Sequence, residues 1–122
     1  MSRTAITVQN FKDLRILPFG SGTAAATMTA ADASNNNLAP FPGNGALILV
    51  AQNTHASTPY TITVTSAADE FGRTGDITTY SLAAGDIVPL LIPANGWKQS
   101  DGNLYFQASN ASVKFAIYNA QQ

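Results

Sequence analysis

From Tyr60 to Thr65 the chain reads Tyr-Thr-Ile-Thr-Val-Thr, and Val113 to Tyr118 repeats the device as Val-Lys-Phe-Ala-Ile-Tyr. Successive side chains of a strand point to opposite faces, so Tyr60, Ile62 and Val64 share one face while three threonines take the other. Helical packing would scatter both sets. The last sixty residues are built almost entirely this way, with polar turns between segments and few reactive side chains. Such a body is suited to binding, packing or covering something rather than transforming it.

The same reasoning maps the rest of the chain. Gly45 to Ala51 is an unbroken apolar run of strand length, expected as the central strand buried on both faces. Asp76 to Leu82, Ile87 to Ile92, Leu104 to Ala108 and Val113 to Asn119 read as further strands. Pro89 places its strand at an edge or a bulge, because proline has no N–H for a ladder. Ser100-Asp101-Gly102-Asn103 carries a hairpin signal, and Ser109-Asn110-Ala111 is expected to close a last hairpin. Nearer the N-terminus, Thr4 to Gln9 and Leu14 to Leu17 are short strand candidates, and Ala30 to Ala33 suits a helical turn. Residues 34 to 45, rich in Asn, Pro and Gly, read as a loop.

The expectation is an all-β, single-domain β-sandwich, jelly-roll-like fold or small barrel of about seven to nine antiparallel strands. Residues 1–45 form its less regular segment, lying on the body as edge strands or reaching out as an arm, and residues 46–122 form the regular body. A chain of 122 residues holds one core of this kind.

Composition narrows the function. Six Lys plus Arg against seven Asp plus Glu are scattered along the chain, which leaves no phosphate-tracking patch and argues against nucleic acid. Charged residues are only 11% of the chain, against about 25% in ordinary soluble domains. A weakly charged surface is tolerable in a protein that works inside an assembly. Without cysteine there is neither a disulfide nor a thiolate metal site. The longest apolar stretch, residues 46–51, is far too short to span a bilayer, so no membrane role is expected.

No catalytic, cofactor or metal site emerges. His55 is the one histidine, set in a polar turn, and a zinc site would have only carboxylates to complete it. Asp69, Glu70 and Asp76 flank a Gly-containing loop without EF-hand spacing, so an Arg73-paired loop is favoured over calcium or a glycosidase pair. Gly20 to Ala25 fits a relaxed dinucleotide fingerprint but lacks the βαβ context it needs. Asn103 to Ala111 resembles the scar of an expression tag, yet it lies inside the chain and precedes a well-formed strand. Asn110-Ala111-Ser112 is a formal glycosylation sequon. Trp97 after Gly96 suits either a core cap or an interface anchor, with Phe71, Tyr80 and Tyr105 as its possible aromatic companions.

Two runs carry a resemblance: Ile62 through Asp69-Glu70-Phe71-Gly72-Arg73 to Ile77, and Gly96-Trp97-Lys98 through Leu104-Tyr105 to Ala116. Over roughly residues 46 to 118 the chain resembles the capsid decoration, or cement, proteins of tailed bacteriophages. The resemblance implies a homo-oligomeric virion protein, dimer or trimer, made in the host cytoplasm. It would bind the major capsid protein on the outer capsid surface, without enzyme activity or cofactor. Ile6, Val8, Phe11, Phe71, Arg73, Trp97 and Tyr105 are the expected partner-binding residues, the first three on an arm that reaches a neighbour. Alternatives are a carbohydrate- or receptor-binding module of a phage fibre, stacking ligands on Trp97 and Tyr105, or a head-completion or tail protein.

Overall fold

The computed structural model describes residues 3–10, 28–41, 46–68 and 71–119. Ten strands run through them: β1 Thr4–Ala5, β2 Val8–Asn10, β3 Thr29–Ala30, β4 Asn37–Pro40, β5 Leu47–Asn53, β6 Tyr60–Thr65, β7 Ile77–Leu82, β8 Ile87–Ile92, β9 Asn103–Ala108 and β10 Val113–Asn119. The described residues contain no helix. One sheet has the order β1, β4, β9, β6, β7, and the other β2, β10, β5, β8 with β3 also beside β10. Among the described residues both sheets have open edges, as in a β-sandwich rather than a closed barrel. All pairings are antiparallel except β1 with β4 and β2 with β10.

The alternating residues do what their period requires. Leu49 and Ala51 of β5 and Phe115 and Ile117 of β10 point inward from one sheet, meeting Ile62 and Val64 of β6 and Leu104 and Phe106 of β9 from the other. The Phe106 and Phe115 rings cross edge to face at 4.8 Å, locking the two sheets at their middle. As expected, β5 is interior, held between β10 and β8.

Three local readings are corrected. Ser109 to Ala111 does not close a hairpin: β9 lies between β4 and β6, β10 lies in the opposite sheet, and the turn carries the chain across the sandwich. Asp101-Gly102 likewise makes a tight turn, with Gly102 at φ 88 and its N–H donating to the Gln99 carbonyl at 2.9 Å. Its strand β9 does not pair with β8, which sits in the other sheet. Residues 34 to 45 are not all loop, because Asn37–Pro40 forms β4 between β1 and β9. Asn37 is fully buried there, donating from Nδ2 to the Thr4 carbonyl and accepting the Asp32 N–H, so its polarity is satisfied.

The turn before β4 is a single loop of chain closed by the Asn36 N–H on the Asp32 carbonyl at 2.8 Å, in place of a helical segment from Ala30. The Asp32 carboxylate accepts the Thr4 hydroxyl and the backbone N–H groups of Ser34 and Asn35, which holds its pKa below the usual carboxylate range. The candidate strand at Leu14–Leu17 lies outside the described residues.

Both edge strands on the β7 and β8 side carry a feature that resists strand addition. On β7 the register slips between Ile62 and Val64, and the extra residues include Thr79 at φ 48, a strained value for a β-branched residue. Tyr80 opposite Ile62 and Leu82 opposite Tyr60 keep one face, and the slip at residues 78–79 brings Ile77 opposite Val64 in place of Thr78; Tyr80, on this edge strand, is exposed. β8 holds Pro89 opposite Val50 at the sheet margin, as its missing N–H requires.

Candidate functional site

The loops leaving β6 and β8 are stitched together. The Ala67 N–H donates to the Gly96 carbonyl at 2.8 Å, and Gln99 Nε2 donates to the carbonyls of Thr65 and Ser66 at 3.2 and 3.1 Å. Ser66 organises its own loop from within. Its N–H and hydroxyl both donate to Asp76 Oδ1 at 2.8 Å, while its Oγ accepts the Gly75 N–H at 2.8 Å. These donors favour the ionised carboxylate and hold the Asp76 pKa below its ordinary value.

Between the two loops lies an open cleft of about 250 Å³ lined by Ser66, Arg73, Thr74 and Gly75 on one side and Asn95, Gly96 and Trp97 on the other. The turn that presents Trp97 is closed by the N–H groups of Trp97 and Lys98 on the Ala94 carbonyl at 3.2 and 2.9 Å. Trp97 is half-buried, packing against the core and also lining the cleft. At the rim the Arg73 guanidinium lies 4.9 Å from the centre of the Phe71 ring, which is 72% exposed.

The structure therefore brings Phe71, Arg73 and Trp97 to one end of the sandwich and places the other candidates elsewhere. Tyr105 faces outward from β9 between Leu38 and Thr65, with the Arg3 guanidinium 4.3 Å over its ring and its hydroxyl donating to Asp101 at 2.6 Å. It does not line the cleft, so it forms no joint platform with Trp97. Ile6 is a correction: at 3% exposure it belongs to the chain's own core, and Val8 packs against that core. Residues 4–5 and 8–10 lie along the body as edge strands rather than as an arm. Phe11 lies outside the described residues.

His55 is half-buried and structural. Its Nδ1 accepts the N–H groups of Ser57 and Thr58, and its ring meets Tyr60 edge to face at 5.6 Å. Beside it, the fully buried Asn53 donates from Nδ2 to the carbonyls of Thr58 and Leu82, tying two crossings of the sandwich together. Among the described residues no three His, Asp or Glu side chains gather as a metal site, and Asp69 and Glu70 lie outside those residues.

Sequence reasoning singled out both loops but missed Ser66, Thr74 and Asn95 as partners in one cleft. Their adjacency depends on how the chain crosses between sheets, and alternation carries no signal for that. No protein-family model, no curated protein and no solved structure matches this chain.

Proposed function

We propose that this chain is a structural virion protein that binds the outer surface of a phage capsid and stabilises the assembled shell. The observation that carries the reading is β8, an edge strand of sequence Ile-Val-Pro-Leu-Leu-Ile whose Ile87 and Leu91 stand 43% and 67% exposed. An apolar row at a sheet margin is a liability in a free monomer and an asset on a surface that is covered in use. Pro89 interrupts the ladder there, so the contact is made by side chains rather than by strand addition. Low charge agrees with a life inside an assembly, and the resemblance over residues 46 to 118 points to the same class.

The mechanism is mass action. A protein that binds the assembled shell of major capsid protein but not its free subunits stabilises the shell, and self-association into dimers or trimers multiplies weak contacts. No covalent chemistry is required of it. Quantitative mass spectrometry of the purified virions that carry the protein tests the reading. Hundreds of copies per particle are expected, and a handful would assign the chain to a connector, tail or fibre instead.

A further inference from the structure

We propose that the cleft between the β6–β7 and β8–β9 loops binds a saccharide, one sugar ring lying against Trp97 with its hydroxyls bonded to Thr74 and Asn95. This site is separate from the β8 row that carries the shell-binding reading.

Three polar groups of the cleft have no side-chain hydrogen bond among the described residues. They are the Thr74 hydroxyl, the Asn95 amide and the Trp97 indole N–H, whereas the Ser66 hydroxyl already donates to Asp76 and accepts from Gly75. Together they offer a group that both donates and accepts, a paired donor and acceptor, and a lone donor. A pyranose has the complementary set: neighbouring hydroxyls that each donate and accept, and an apolar C–H face suited to an aromatic surface.

Shape agrees with chemistry. A volume of about 250 Å³ falls below the roughly 300–1,000 Å³ of pockets that enclose drug-sized ligands, which suits one ring of a longer chain that continues into solvent. Gly75 and Gly96 keep two stretches of the wall free of side chains, and a Cβ built on Gly75 meets nothing within 4 Å. Among the described residues the lining is Ser66, Arg73, Thr74, Gly75, Asn95, Gly96 and Trp97, neutral but for Arg73.

The walls are also pre-formed. Ala67 with Gly96, and Gln99 with Thr65 and Ser66, fix one loop against the other, so binding need not order them.

Trp97 is the only tryptophan of the chain, so its fluorescence reports on this site alone. The test is a titration of the full chain with glucose, galactose, N-acetylglucosamine, glucuronic acid and their short oligomers, read by Trp97 emission. At least one sugar is expected to give a saturable change with a millimolar Kd. Thr74→Val and Asn95→Ala, at exposed positions whose side chains bond to none of the described residues, should each weaken it about tenfold at unchanged Tm, as loss of one good hydrogen bond would. No saturable change with any sugar overturns the proposal, as does binding that survives both substitutions. Shell binding should be the same for Asn95→Ala as for the parent, so the two readings fail independently.

Discussion

The outer faces of the two sheets differ more than their inner ones. On the first sheet, β6 shows Thr61, Thr63 and Thr65 outward and β9 shows Tyr105 and Gln107, all half-buried. On the second sheet the equivalent positions are Ile48 and Val50 of β5, Ala116 and Tyr118 of β10, and Ile87, Pro89 and Leu91 of β8. Val50, Ala116 and Tyr118 are nonetheless buried, forming with Met28 and Ile48 a second small core outside the sandwich proper. The first face is finished for water. The second is apolar except at one end, where Gln52 and the exposed Lys114 stand opposite each other, and its burial stops before β8, where Ile87 and Leu91 emerge.

The largest effect should come from placing one charge on each face. Ala116 is fully buried, so Ala116→Glu sets an unpaired carboxylate in an apolar site and should cost more than about 3 kcal/mol, enough to unfold a marginal domain. Thr61→Glu on the half-exposed face should cost within about 1 kcal/mol, the span of strand propensities. Urea unfolding measures both. Equal tolerance would mean that the second core is an open surface.

A medium effect tests where that core ends. Ile87→Lys and Leu91→Lys replace exposed side chains on β8 and should leave stability within about 0.5 kcal/mol. The same pair should abolish binding to the assembled shell in a co-sedimentation assay. Retained shell binding would remove β8 from the contact surface.

These contrasts also mark what the sequence made legible. Strict alternation located β6 and β10, the unbroken apolar run identified β5, and Pro89 put β8 at a margin. Each is a property of a strand and its own two faces. The placement of β4 was not visible, because Asn37 and Pro40 look like turn residues until Thr4, more than thirty positions away, supplies a partner. Ser109 to Ala111 signalled a reversal correctly but not that the returning strand joins the other sheet. The cleft was hidden for the same reason. Its two loops were conspicuous, while the crossing that sets Thr74 beside Asn95 is a property of the whole chain.

The smallest effect compares one tyrosine from each face. Both phenols are pushed above the ordinary tyrosine range, Tyr105 chiefly by its hydrogen bond to the Asp101 carboxylate and Tyr118 by burial. Asp101→Asn should therefore lower the midpoint of Tyr105 toward about 10 and leave Tyr118 where it stands, as read by phenolate absorbance with Tyr118→Phe to assign the signals. The sign for stability follows. A phenol that holds its proton more tightly when folded contributes stability that is fully present below the unfolded value of about 10 and lost as pH rises through the folded one. Alkaline unfolding should thus begin above about pH 10 and be delayed in Tyr118→Phe, which has no phenol to ionise. If Tyr118 instead titrates at the ordinary value, water reaches β10 and the outer core of the second sheet is not closed.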